Sequence, residues 1–338
     1  METPITAQSA TDAYGAGIRQ VWLGEPHLIA YSAEDMRKRL LDLSQPVFVV
    51  RCQGRMGVAP LAPTTSLDIK QDNHVEVMHV SPAISIAQFG DPAFMRWYGT
   101  RYAYYSGAMA NGIASADLVI SMGKAGYLAS FGSAGMVPSR LEDAIGAVQA
   151  ALPQGPYAFN LIHSPNEESM ERRAAELFLQ RQVTTVEASA FLDLTPAVVH
   201  YRVAGLSLAP GGDVIITNRV IAKVSRTEVA TKFMQPAPER ILNELVAEGR
   251  ITPLQAQLAE RVPMADDIAV EADSGGHTDN RPLVCLLPTM LALRDSIQEQ
   301  AHYEQPVRVG AGGGISTPHA ALGAYMMGAA FIVTGSVN

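Results

Sequence analysis

The chain has 338 residues, 48% apolar and 17% charged, with a formal net charge of −8. Such a composition supplies a large core and excludes a disordered chain, while the acidic balance without Lys/Arg clusters excludes nucleic acid as the main partner. No apolar run of about 18 residues marks a membrane span, and METPITAQSATDAYGAG at the start lacks a signal-peptide pattern, so a cytoplasmic protein is expected.

Two cysteines, Cys52 and Cys285, lie far apart without metal-type spacing, as free thiols in a reducing compartment would. Residues 1 to about 95 read as a small α/β appendage. AEDMRKRLLDL (33–43) has the spacing of an amphipathic helix, and PVFVVRC (46–52) and HVEVMHV (74–80) read as strands.

From Tyr102 a rhythm sets in. Short β-branched or aromatic runs begin at 102, 127, 157, 183, 219, 268, 307 and 331, and longer stretches with helical spacing separate them. Strands alternating with helices imply a parallel sheet with right-handed crossovers. Eight units, with no GxGxxG turn after the first, predict a closed (β/α)₈ TIM barrel over 96–338 rather than an open dinucleotide-binding sheet. Strands five and six begin at 219 and 268, and the extra length, about 232–264, reads as a helical insertion turning at Glu248-Gly249. As an insertion after strand five it is expected over the face where such barrels keep their active sites. Asn338 follows strand eight without a closing helix. Strands eight and one are therefore expected to show an uncovered apolar face, and a C-terminal continuation of the polypeptide is expected to cover it.

The strongest chemical signal is VGAGGGISTPHAALGAYMMGAAFIVTGS. Strand seven runs into Gly312, Gly313 and Gly314, Thr317 and Pro318 suit a helix start, and strand eight ends at Gly335 and Ser336. Glycines let backbone N–H groups converge on an anion, and a helix N-terminus adds a favourable dipole, so these loops predict a phosphate site. A merely tight turn is the plainer reading of three glycines alone.

GAGGGIS with VTGS, EADSGGHTDNRP and GAMANGIAS together resemble the nitronate monooxygenase superfamily of FMN enzymes. Within it they resemble the trans-acting, PfaD-like enoyl reductases that serve polyunsaturated fatty acid synthases and trans-acyltransferase polyketide synthases. FNLIHSPNE (159–167) and EASAFLDLTPAVVHYR (187–202) are also close to that branch. The resemblance covers about 95 to 338.

It implies FMN across the barrel mouth, with Gly312, Gly313, Gly314, Gly335 and Ser336 at its phosphate. Gly107, Ala108 and Met109 would run beside the ring and offer backbone donors. Asn160 would face the ring, its plainer reading being a strand-end cap. Lys223 would stabilise the reduced flavin, its plainer reading being a rim salt bridge. His277, with Gly275 and Gly276 allowing close approach, matches the catalytic histidine of the superfamily. An imidazole that titrates near neutrality suits proton transfer at carbon. Asp273 and Asp279 are candidates to orient it, and His163 and His200 are not assigned a role.

The implied activity is reduction of 2-enoyl thioesters on acyl carrier protein, in trans, with NADPH as reductant. Arg240, Arg250 and Arg261 of the insertion are candidates for meeting an acidic carrier protein, and a homodimer is compatible with this reading. The alternative is a nitronate monooxygenase using FMN and O₂ with the same histidine. A silent scaffold in a synthase complex is a third reading, which the intact glycine turns and His277 disfavour. The SGGHTDNRP loop, the insertion and the leading segment suit a large tethered substrate better than a nitroalkane.

Overall fold

Alternating side-chain patterns settle into strands in both halves of the chain. The structure, a computed structural model, describes residues 18–68, 74–165, 167–274 and 278–338. It has two compact units, 1–88 and 89–338.

The first unit holds β1 (Ile18–Trp22), α1 (Ala33–Leu40), β2 (Val47–Cys52), β3 (Arg55–Ala59), β4 (Thr64–Asp68) and β5 (Glu76–Ser81). The strands form one antiparallel sheet in the order β3-β2-β5-β1-β4. The expected helix and both expected strands are present, while β1, β3 and β4 are additional. Ser32 caps α1 by accepting the Asp35 N–H at 3.0 Å. Gln53 and Gly54 both take positive φ, 48° and 76°, the mirror-image turn whose twist matches a two-residue hairpin. Trp22, Phe48 and Val50 are buried together, and the Trp22 indole N–H donates to the Pro60 carbonyl at 3.0 Å.

The second unit begins with α2 (Pro92–Tyr98), the helix that straddles the expected boundary at residue 95. It continues with β6 (Tyr104–Ser106), α3 (Ala116–Lys124), β7 (Leu128–Phe131), α4 (Pro138–Ala151), β8 (Ala158–Ile162), α5 (Glu168–Gln180), β9 (Thr185–Ser189) and α6 (Pro196–Ala204). A hairpin of β10 (Leu206–Leu208) and β11 (Val214–Ile216) precedes β12 (Arg219–Val224), α7 (Thr227–Met234), α8 (Glu239–Ala247), α9 (Pro253–Ala259) and β13 (Asp267–Glu271). The chain ends through α10 (Leu283–Ala301), β14 (Arg308–Gly312), α11 (Pro318–Met326) and β15 (Ile332–Thr334). The eight strands β6, β7, β8, β9, β12, β13, β14 and β15 pair in parallel and close into a barrel, so the expected TIM-barrel architecture is present.

Alternation along each strand sorts the core. Tyr105, Leu128, Ala158, Ile221, Ala269 and Phe331 share an inner cluster with Phe94 and Tyr98 of α2, which plugs the base of the barrel. Phe94 stacks on Phe331 with centroids 4.5 Å apart. Gly310 makes room for that ring, since a Cβ there would lie 2.5 Å from it.

Two expectations need correction. The inserted helices α8 and α9 do turn at Glu248-Gly249, with Gly249 at φ 68°. They follow α7, however, and so lie at the base, opposite the strand C-termini. The Gln255 amide donates to the Ala204 carbonyl at the end of α6, and Met264 N–H donates to Gln235 O at 2.9 Å. The insertion falls in a helix-to-strand connection, and such connections run along the base. The second correction concerns β15. Phe331 and Val333 point into the barrel, while the outward Ile332 is 6% exposed and shares the outer core with Tyr104, Ala324 and Tyr325. The outward position of strand eight is therefore buried, in contrast to the expected bare face.

Candidate functional site

At the mouth of the barrel the inward positions turn from apolar to charged. Glu187 in the middle of β9 is fully buried, and its carboxylate lies 3.2 Å from the Lys223 ammonium of β12. The same ammonium lies 3.2 Å from Glu271 of β13. Burial opposes the Lys223 charge, but the two carboxylates outweigh it and push the ammonium above its ordinary pKa. Lys223 therefore stays charged, bridging neighbouring strands. Tyr105 lies in the interior with its hydroxyl lacking a partner among the described residues. Burial, then the charges of Glu187 and Glu271, raise its pKa well above the ordinary phenol value.

Asn160 of β8 is buried and donates its amide to Glu187 O at 3.0 Å and to Ser189 Oγ at 2.8 Å. Both amide hydrogens are thus used, leaving the side-chain oxygen as the remaining polar atom. Ser133, after β7, donates to the Asn160 carbonyl.

The loop after β6 is drawn into this cluster. Gly107 N–H donates to Thr334 O at 2.8 Å, and Ala108 N–H donates to Glu187 at 3.1 Å. Of the three backbone donors expected there, Gly107 and Ala108 are spent inside the barrel; Met109 N–H makes no hydrogen bond among the described residues. The loop is braced on the one after β7, through Asn111 N–H to Ala134 O at 2.7 Å and Gly112 N–H to Gly132 O at 2.9 Å. Gly132 is tightly constrained, because a Cβ there would meet Met109 O at 1.6 Å.

The glycine turns after β14 and β15 adjoin this loop. Gly313 takes φ 86°, and a Cβ on it would lie 2.5 Å from Ala272 O; one on Gly312 would lie 2.6 Å from Val333. Among the described residues, the nearest atom to a Cβ on Gly314, at φ 69°, would be Asp273 O at 4.0 Å. Thr317 caps α11 by accepting the Ala320 N–H at 3.2 Å, with Pro318 in the first turn. Gly335 faces the Met109 side chain, 3.7 Å from where its Cβ would stand. Two glycine turns beside a capped helix start fit the phosphate end of an FMN.

His277, Gly275 and Gly276 lie outside the described residues. The loop around them closes through Asp273 N–H to Arg281 O at 2.9 Å. Asp279 pairs with both Nε and Nη2 of Arg226, at 2.8 and 2.9 Å, and that bond holds its carboxyl below the usual range. His163, beyond β8, has Nδ1 2.9 Å from buried Glu171 and stacks on Phe191, so it ties two loops together. His200 is buried in α6 beside the inserted helices. Arg250 is engaged by Glu176 and Arg261 by Gly212 O, while Arg240 is exposed beside Glu244.

Glu187 and Glu271 were missed by sequence reasoning, although a signal existed. Both sit in a repeated Val-Glu-Ala, 186–188 and 270–272, ending strands on either side of the strand that carries Lys223. Among the described residues there is no metal-binding group of three His, Cys, Asp or Glu. None of the described helices is long and apolar enough to cross a membrane.

Comparison with known proteins bears on this site. Residues 22–83 match the family described as fatty acid synthase subunit PfaD N-terminal domain. The chain is 50% identical over 310 residues to a polyunsaturated fatty acid synthase subunit of Thraustochytrium sp., covering 90% of this chain and 20% of that protein. It is 44% identical over 277 residues to polyketide biosynthesis protein PksE of Bacillus subtilis, covering 82% of this chain and 36% of that one. The crystal structure of the enoyl reductase domain of MlnA, from the macrolactin biosynthesis cluster of Bacillus amyloliquefaciens, superposes with a TM-score of 0.72 at 39% identity. That match covers 75% of this chain and 57% of the other. The chain thus spans about a fifth to a third of the curated relatives it matches. Its kinship with components of polyunsaturated fatty acid and polyketide synthases is the one its motifs imply.

Proposed function

We propose, from this kinship, that the chain is an FMN-dependent enoyl reductase acting in trans on 2-enoyl thioesters of acyl carrier protein, with NADPH as reductant. One observation carries the reading. The glycine turns of Gly312–Gly314 and Gly335, the Met109 amide and the Asn160–Glu187–Lys223 cluster gather at one barrel mouth. The likeness to an enoyl reductase domain supports the choice of reaction.

When bound, FMN supplies a two-electron reductant. The chain's own residues hold and orient. The amides of the Gly312–Gly314 turn and the start of α11, together with Gly335 and Ser336, would hold the phosphate. Asn160 would offer its side-chain oxygen to the flavin, and Lys223 would supply a positive charge at the mouth. His277 serves as the acid that delivers a proton to the substrate α-carbon. With Arg250 and Arg261 engaged at the base, the insertion no longer supports a carrier-protein docking surface, nor a preference for a tethered substrate.

The test is to incubate the purified chain anaerobically with NADPH and a short-chain enoyl thioester, then denature it and identify the released flavin. Saturated thioester and FMN are expected. FAD, no flavin, or turnover only with a nitroalkane and O₂ would sink the reading. His277→Ala should keep FMN and lose enoyl reduction by about 10²-fold or more. Reduction of bound flavin by NADPH should fall far less, and equal losses in both would make His277 a residue that orients.

A further inference from the structure

We propose that Glu187 is the positioning residue of the flavin site, holding three separate contacts in register and setting the charge beneath them. The inference rests on the functional reading above. Its basis is the number of strands that one residue joins: its carboxylate meets the β6 loop and β12, and its main-chain carbonyl meets β8. The carboxylate receives the Ala108 N–H from the β6 loop at 3.1 Å and the Lys223 ammonium from β12 at 3.2 Å. The carbonyl of the same residue receives the Asn160 amide from β8 at 3.0 Å. Ala108, Asn160 and Lys223 are three of the residues whose motifs match the flavin contacts of the superfamily, and each is tied to Glu187.

A buried carboxylate is costly unless paired and hydrogen-bonded, so evolution of a simple barrel layer would favour an apolar residue there. The layer below is indeed built of Tyr105, Leu128, Ala158, Ile221 and Ala269. Glu187 and Glu271 together outnumber Lys223, which leaves the cluster one negative charge in excess. An excess negative charge near a group that gains electrons opposes reduction by Coulomb repulsion, and low local dielectric enlarges the effect. Glu187 therefore holds the flavin-facing groups in place and keeps the bound flavin's midpoint potential low.

The experiment uses the full chain as wild type, Glu187→Gln, Glu187→Asp and Lys223→Met. FMN affinity is measured by fluorescence quenching, the midpoint potential of bound FMN by dye equilibration, and the flavin-free melt by circular dichroism. In Glu187→Gln the FMN dissociation constant should rise roughly tenfold or more and the potential should move up. Glu187→Asp, which keeps the charge, should restore much of the potential. Lys223→Met should move it down. The opposed signs are the signature, since a residue that only packs would lower the melt without them. Unchanged affinity and potential in Glu187→Gln would overturn the proposal. Should that variant not fold, an unshifted or raised potential in Lys223→Met overturns it instead. A folded wild type that binds no FMN would overturn the functional reading and this inference together.

Discussion

Arg308 and Asp267 face each other on adjacent barrel strands, with Nε 2.7 Å from Oδ1 and Nη2 2.6 Å from Oδ2. The Tyr98 hydroxyl donates to the same carboxylate at 2.6 Å, so a helix preceding the barrel closes its base through one acidic group. Burial opposes the Arg308 charge and Asp267 outweighs it, which keeps the guanidinium charged. Removing one partner of such a buried pair strands the other. Asp267→Ala should cost about 3–5 kcal/mol of stability, read from the shift in a urea unfolding curve. A loss below about 1 kcal/mol would mean that water reaches Arg308 and the base is not sealed.

Gly313 is a sharper test of the glycine turn. Its φ of 86° disfavours any residue with a Cβ, and the added atom would stand 2.5 Å from Ala272 O. Gly313→Val should cost roughly 1–3 kcal/mol through strain and should abolish FMN binding, because the backbone can no longer take its turn. Gly323→Ala, on a helix with nothing within 4 Å of the new Cβ, is the control and should bind FMN normally. Equal binding by both variants would remove this turn from the phosphate site.

His200 predicts an acid limit to stability. Burial first, then the nearby Arg250 charge, lowers its pKa below the ordinary 6.5. The native state therefore keeps the ring neutral where the unfolded chain takes up a proton. Its contribution is present above pH 6.5 and is lost as the pH falls from there toward the lowered native value. Unfolding midpoints should drop on acidification from about pH 7.5 to about 5.5, and His200→Gln should flatten that drop. An identical pH dependence in the variant would show that the ring is free to protonate in the native state.

The barrel was legible because its signal is repeated. Eight short strand-forming runs, separated by stretches with helical spacing, point to a closed parallel arrangement, and each run contains its strand within a few residues. The glycines at 312–314 and Gly335 were legible too, since residues without a Cβ mark backbone that must come close to something. The three added strands of the first unit were not. TTSLD and RMGVA are short and mixed in polarity, and pairing partners, not their own pattern, make them strands.

Position within the barrel was the harder matter. Sequence spacing showed that helices follow strand five, but only the fold shows whether an insertion comes before or after the crossover helix returns to the base. That difference moved Arg250 and Arg261 from the expected mouth to the opposite end. Asn160 and Lys223 could be picked out one by one from motifs. That both converge on Glu187 depends on the parallel pairing of β8, β9 and β12, which sets the Lys223 ammonium 3.2 Å from the Glu187 carboxylate inside a medium with little water. Local residue chemistry thus determined the architecture and the glycine turns, whereas the tertiary pairing and register of β9, β12 and β13 decided which charges meet, because a carboxylate and an ammonium on separate strands acquire a fixed geometry only when the strands around them shut out solvent.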